Sequence, residues 1–103
     1  MKRVLVQYKV KADKATENIN FIKNVFKELK EKSPDGLKYA SFHQPDGVSF
    51  VHIASIETDD GKNPLSESAA FKEFQKEIKE RCEIPPSAVD LNEIDSYNFF
   101  GKN

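Results

Sequence analysis

The dipeptide Asp46-Gly47 constrains this chain more than any other feature, because it stands between two strand-like segments, 37–45 and 48–57. Asp-Gly suits the two central positions of a type I′ turn, so the sequence predicts a β-hairpin with a two-residue turn. In that hairpin the numbers of paired residues add up to 93, as 46 and 47 do. The turn therefore predicts the pairing of every residue in both strands.

This register gives the hairpin two faces, and both are substantially apolar. The first face carries two histidines among its eight residues, which are Tyr39, Ser41, His43, Val48, Phe50, His52, Ala54 and Ile56. The second face carries Ala40, Phe42, Gln44, Val51 and Ile53. A sheet with helices on one side only usually has a polar second side. We therefore expect the second face to meet another molecule.

The segments before the hairpin are a strand and a helix. Residues 3–11 alternate with the period of a half-buried strand. Residues 14–32 carry apolar side chains at steps of three and four, which predicts an amphipathic helix with Asp13 as its N-cap. Pro34 and Gly36 are expected to end that helix.

The segments after the hairpin are a second helix and a last strand. The second helix follows Pro64, and its predicted apolar stripe is Ala70, Phe71, Phe74, Ile78 and Cys82. Ile84-Pro85-Pro86 is expected to end it, because proline cannot continue the helical hydrogen bonds. The final strand is predicted within residues 88–100.

The element order is therefore βαββαβ, in a single domain of residues 1–103. Short right-handed crossovers fold this order into an α+β structure with a four-stranded antiparallel sheet and both helices on one face.

Composition excludes several classes of partner. The chain has 16 basic and 17 acidic residues, so its net charge of −1 provides no field to attract nucleic acid. The segment 47–53 departs at several positions from the third-strand motif of RNA-recognition domains. No window approaches the roughly 20 apolar residues of a membrane-spanning helix, and the single cysteine, Cys82, favours a cytoplasmic location. We expect neither nucleic acid nor a membrane as partner.

His43 and His52 are the residues with the clearest chemical potential. They are the two histidines of the chain, and the register makes them diagonal neighbours near Tyr39, Ser41 and Phe50. An imidazole there can act as a general base or bind a phenolic substrate, and the alternative is that both are structural, partly buried histidines. A metal site needs a third ligand, and the hairpin face that carries the two histidines has no carboxylate or cysteine, so we expect no metal.

Several segments are similar to a known family. They are Gly36-Leu37-Lys38-Tyr39-Ala40-Ser41-Phe42, Asp46-Gly47-Val48-Ser49-Phe50-Val51-His52-Ile53, Asn63-Pro64-Leu65, Ala70-Phe71-Lys72-Glu73-Phe74 and Arg81-Cys82. Together they resemble the antibiotic biosynthesis monooxygenase-like superfamily over nearly the whole chain. The resemblance implies a ferredoxin-like subunit that forms a homodimer through its sheet, a dimeric α+β barrel.

The resemblance also implies candidate activities. One is cofactor-free oxygenation of a small aromatic or quinol-like substrate, with His43 or His52 as base, Tyr39 and Ser41 as hydrogen-bond donors and Phe50 in the pocket. Haem degradation is disfavoured, because the chain has no tryptophan. The alternative is a non-catalytic module that binds a small molecule or a partner. A cavity beside the histidines would favour the enzyme, and a filled interior would favour the module.

Overall fold

The computed structural model describes residues 1–100 and has the predicted α+β architecture. Its elements in chain order are β1 (Lys2–Val10), α1 (Ala15–Lys32), β2 (Leu37–His43), β3 (Ser49–Ile56), α2 (Ala69–Gln75), α3 (Ile78–Arg81) and β4 (Cys82–Leu91), with short 3-10 turns at Ala12–Lys14 and Pro64–Glu67. The strands form one antiparallel sheet with the order β2-β3-β1-β4. The predicted ferredoxin-like fold class is confirmed.

The register of the β2–β3 hairpin is confirmed, but its predicted turn is wrong. Leu37 pairs with Ile56 and His43 with Phe50, so the paired numbers add up to 93. The connection is longer than two residues, because Pro45 has no N–H to donate to a partner strand. Asp46 stabilises the longer loop, since its Oδ1 accepts hydrogen bonds from the backbone N–H groups of Val48 (3.0 Å) and Ser49 (2.9 Å).

The first helix lies close to its predicted bounds, but its predicted cap is wrong. Asp13 lies in the 3-10 turn, and Lys14 occupies the N-cap position without a side-chain hydrogen bond. At the other end Ser33 has a left-handed conformation, with φ of 44°, and its N–H donates to the carbonyl of Leu29.

The second helix is shorter than predicted, because the chain breaks at Glu77. Its φ of 60° is left-handed and separates α2 from the single turn α3. Cys82 therefore starts β4 and does not end a helix.

The final strand also differs from its prediction, since it spans Cys82–Leu91 and residues 92–100 lie outside the sheet. Pro85 and Pro86 lie within β4 and do not end a helix. This strand is at the sheet edge and pairs only with β1, and the pairing shifts register between Gln7 and Lys9. An edge strand with a bulge tolerates prolines, because their missing N–H groups have no ladder partner to lose.

The inner face of the sheet is covered by the helices and forms the core. Tyr8, Val10 and Phe50 from the sheet are buried with Val25 of α1 and Phe74 of α2. The opposite face, called the outer face below, carries six apolar residues in adjacent pairs: Leu5, Ala40, Phe42, Val51, Ile53 and Val89. Phe42 is 53% exposed and Val89 is 48% exposed.

A search for membrane-spanning helices among the described residues finds none with the required length and apolarity.

Candidate functional site

A cavity of about 430 Å³ lies between the inner face of the sheet and the α2–α3 segment. Most of its wall is apolar and includes Val4, Val6, Ile56, Leu65, Phe71 and Ile78. Its polar lining residues include Tyr8, Tyr39 and His52 on the sheet, together with Asn63, Gln75 and Lys79. We call it the His52 cavity, and its volume is in the range of roughly 300–1,000 Å³ that is typical of small-molecule sites.

His52 has hydrogen-bond partners at both ring nitrogens. It lies in β3, opposite Val6 of β1 and Ser41 of β2. Its Nε2 lies 2.7 Å from the hydroxyl of Tyr8. Its Nδ1 lies 2.6 Å from Ser41 Oγ and 3.1 Å from the hydroxyl of Tyr39. Side-chain hydroxyl groups from both neighbouring strands, β1 and β2, therefore contact His52 of β3.

Aromatic rings enclose the imidazole and exclude water from it. The ring of His52 is nearly parallel to those of Tyr8, with centroids 5.3 Å apart, and Tyr39, at 5.9 Å. Phe74 of α2 packs at an inclined angle, 5.5 Å away. Only 4% of His52 is exposed.

This burial keeps all three polar groups uncharged at neutral pH. Desolvation of the imidazolium lowers the pKa of His52 to about 4. Burial raises the pKa of Tyr39 to about 12, although a hydrogen bond from Ser41 acts in the other direction. Burial also raises the pKa of Tyr8, against a smaller lowering effect of its hydrogen bond with Asn18. The cavity thus presents a neutral imidazole and two phenols.

A second layer of polar residues supports Tyr8 from the helices. Asn18 of α1 is fully buried, and its Nδ2 donates to the Tyr8 hydroxyl at 2.9 Å. Arg81 of α3 is also buried, with Nε 3.4 Å from Asn18 Oδ1. Its Nη2 and Nη1 donate to the backbone carbonyls of Phe74 (2.5 Å) and Lys76 (3.1 Å).

The sequence patterns did not single out Tyr8, Asn18 and Arg81, which the structure places around His52. Tyr8 lies on the same face of the alternating segment 3–11 as Val4 and Val6, and alternation alone does not distinguish it from them. The sequence does show that Asn18 is unusual, because it shares one helical face with the apolar residues Ile22 and Val25. A polar residue on an apolar stripe needs a buried partner. Arg81 carried no such signal.

Of the five site residues predicted from sequence, the structure brings together His52, Tyr39 and Ser41. Phe50 is buried in the core beside Tyr8, with ring centroids 5.5 Å apart, and lies outside the cavity wall. His43 is exposed at the end of β2, where its Nδ1 lies 3.1 Å from the carbonyl of Gln44. It is also outside the cavity wall.

Within residues 1–100, no three histidine, cysteine or acidic side chains group in an arrangement that could hold a metal ion.

The fold is shared with proteins of known structure. The structure has the ferredoxin-like fold of antibiotic biosynthesis monooxygenase-like proteins, which confirms the resemblance at the level of fold. No protein-family model matches the chain, and no curated protein matches it.

Three solved structures illustrate the similarity. A protein of Nitrosomonas europaea, named as an antibiotic biosynthesis monooxygenase, has a TM-score of 0.73 and 17% identity, covering 92% of this chain and 100% of that one. Rv0793 from Mycobacterium tuberculosis has a TM-score of 0.74 and 14% identity, covering 92% and 96%. A variant of SnoaB, a cofactor-independent oxygenase from Streptomyces nogalater, has a TM-score of 0.67 and 10% identity, covering 92% and 94%.

Proposed function

We propose that this protein binds a small aromatic or quinol-like molecule in the His52 cavity and oxygenates it without a cofactor. The observation that carries the proposal is a buried, neutral imidazole beside two phenol hydroxyls in a mostly apolar cavity of about 430 Å³. The structural similarity to a cofactor-independent oxygenase supports the same class of reaction.

The chemistry begins with removal of a proton from an acidic C–H or O–H group of the substrate. His52 receives that proton, and the electron-rich anion reduces O₂ and forms a C–O bond to it. For an anthrone, the His52 imidazolium returns the proton to the peroxide anion, and the resulting hydroperoxide loses water and leaves a quinone. One oxygen atom enters the product, the other leaves as water, and the substrate supplies all four electrons.

The depressed pKa of His52 is compatible with this role. A lone imidazolium is unfavourable in the cavity, because burial lowers the pKa to about 4. Transfer of a proton from a neutral substrate creates the imidazolium and the anion together, so opposite charges form side by side. The hydroxyls of Tyr8 and Tyr39 can stabilise the anion by donating hydrogen bonds.

Oxygen uptake with a panel of quinols and anthrones tests the proposal. We expect His52→Gln to reduce turnover by about 100-fold or more, in the range typical for loss of a general base. His43→Gln is the matched control, because His43 is exposed and outside the cavity, and it should retain wild-type turnover. Unchanged turnover in His52→Gln would contradict the proposal, as would the absence of uptake with every member of the panel.

A second candidate is a non-catalytic module that binds a small molecule at the same cavity. It is favoured by one observation, which is that both nitrogens of His52 already have hydrogen-bond partners. Calorimetry that detects binding of quinols, together with no oxygen uptake, would support this alternative.

We also propose that the protein is a homodimer that buries the outer face of the sheet. Leu5, Val51 and Ile53 form an apolar row on that face. The exposed side chains of Phe42 and Val89 extend this row on either side. A soluble domain with such a contiguous patch usually has a partner there.

We further propose that residues 1–103 act as one domain in the cytoplasm, where a single buried thiol such as Cys82 stays reduced.

A further inference from the structure

We propose that Asn18, held by Arg81, is a positioning residue that determines which nitrogen of His52 carries the proton. It acts through Tyr8, and the geometry assigns the proton to Nδ1. The catalytic consequence rests on the proposed function, whereas the proton position can be tested without substrate.

The first step is the orientation of the Asn18 amide. The guanidinium of Arg81 only donates hydrogen bonds, so the atom of Asn18 that faces it must be the oxygen. Two further donors of Arg81 are bound to the backbone carbonyls of Phe74 and Lys76, which hold the guanidinium in place. The amide therefore cannot reverse without placing its NH₂ group against a cation.

The second step is the direction of the hydrogen bond between Tyr8 and His52. Since the oxygen of Asn18 faces Arg81, its Nδ2 faces the Tyr8 hydroxyl and donates to it. The phenol oxygen is thus an acceptor toward Asn18, and its own proton remains to be donated. His52 Nε2 lies 2.7 Å from that oxygen and, among the described residues, is its one hydrogen-bond partner besides Asn18, so Nε2 is the acceptor.

The third step is the position of the remaining proton of His52. A neutral imidazole carries one N–H, which must then be on Nδ1. Ser41 Oγ, 2.6 Å away, and the Tyr39 hydroxyl, 3.1 Å away, are acceptors for it. Asn18, Tyr8 and His52 are all at most 4% exposed, so their hydrogen-bond partners are protein groups and not bulk water.

For the proposed reaction, this tautomer makes Nε2 the basic atom of His52. Nε2 holds the lone pair, and it is already hydrogen-bonded to the hydroxyl of Tyr8, a residue of the cavity wall. A proton released by a substrate at the Tyr8 oxygen reaches Nε2 by one shift along this hydrogen bond. With the opposite tautomer, Nε2 would carry hydrogen and could not receive that proton.

Asn18→Asp tests the assignment, because it keeps the shape of the side chain and replaces its donor with an acceptor. The carboxylate stays ionised beside Arg81. It accepts one hydrogen bond from the guanidinium of Arg81 and another from the hydroxyl of Tyr8. The Tyr8 oxygen then has to accept from His52, so the proton should move from Nδ1 to Nε2. The matched control is Asn24→Asp, which makes the same change on the exposed side of the same helix.

Long-range ¹H–¹⁵N correlation spectra of histidine-labelled protein at neutral pH read the proton position. We expect a protonated Nδ1 in the wild type and in Asn24→Asp, and a protonated Nε2 in Asn18→Asp. A wild type with the proton on Nε2, or an Asn18→Asp variant with the proton still on Nδ1, would overturn the assignment. If Asn18→Asp does not fold, Tyr8→Phe replaces it: mixed tautomers are expected, and a wild-type spectrum would overturn the assignment.

Oxygen uptake then separates the two proposals. A reduction of about 10-fold or more in Asn18→Asp, with substrate binding retained, supports the positioning role. Wild-type uptake with a reversed tautomer overturns that role. If the wild type itself consumes no oxygen with any substrate, the proposed function fails, while the spectra still decide the proton position.

Discussion

His43 and His52 lie on the same face of one hairpin, yet their surroundings differ in every respect that controls imidazole chemistry. His52 is enclosed by Tyr8, Tyr39 and Phe74, and His43 is exposed beside the loop. Burial, and not residue type, therefore decides which of the two can be a neutral base in an apolar site.

The depressed pKa of His52 predicts a specific loss of stability in acid. In the folded protein its pKa is about 4, against 6.5 for an unperturbed histidine, so the unfolded chain binds the proton more tightly. The contribution of His52 is fully present above about pH 6.5 and is lost as the pH falls toward 4, by about 3 kcal/mol in total. Urea denaturation at a series of pH values should show this slope in the wild type.

Two variants isolate the contribution of His52 from the rest of the pH dependence of stability. His52→Gln should have a shallower pH dependence between 6.5 and 4, whatever its absolute stability. His43→Gln should keep the wild-type slope. Parallel curves for the wild type and His52→Gln would contradict the assigned pKa.

At the same scale, the sequence predicted the cluster of Tyr39, Ser41 and His52 but not its supporting residues. The cluster follows from strand register, a local property that the hairpin determines. The contact between Asn18 and Arg81 joins residues 63 positions apart and depends on how α1 packs against α3. The periodicity of residues within one helix does not show how that helix packs against another, so it could not predict this contact.

Among the elements, the edge strand β4 departs most from its prediction. Pro85 and Pro86 are strong breakers by propensity, so the sequence favoured a helix ending there. The register shift opposite Gln7 and Lys9 lets both prolines remain in the strand. The predicted two-residue turn was wrong for a related reason: Pro45 prevents pairing beside the turn and does not change the register.

The break between α2 and α3 leads to a prediction on stability. Glu77 has a left-handed φ of 60°, which costs a residue with a Cβ about 1 kcal/mol. Glu77→Gly should therefore raise the free energy of unfolding by up to about 1 kcal/mol in urea denaturation.

The control for this variant lies in α2, one helical turn earlier. Glu73 is exposed and lies within the helix, so Glu73→Gly should be destabilising by about 1 kcal/mol. If both variants lost stability to the same extent, backbone strain at Glu77 would be ruled out.

For the whole molecule, the apolar outer face predicts the oligomeric state. Light scattering at micromolar concentration should give twice the 11.7 kDa mass of one chain. Phe42→Lys places a charge on the outer face and should shift the protein toward the monomer, since Phe42 is 53% exposed and contributes little to the fold of one chain.

Asn24→Lys adds the same charge on the exposed side of α1 and should leave the dimer intact. A wild-type protein that scatters only as an 11.7 kDa monomer would refute the homodimer. The apolar outer face itself was predictable, because the hairpin register gives two apolar faces. The His52 cavity was not, because its volume depends on where α2 ends and β4 begins.

A methyl NMR titration with 1-naphthol tests most directly whether the His52 cavity is the ligand site. Val6 and Ile78 line the cavity, whereas Val51 and Ile53 lie on the outer face. We expect saturable shifts of the Val6 and Ile78 methyl groups, none at Val51 and Ile53, and loss of the effect in Ala54→Phe, which fills the cavity. Shifts confined to the outer face, or no shift at Val6 and Ile78, would contradict the claim.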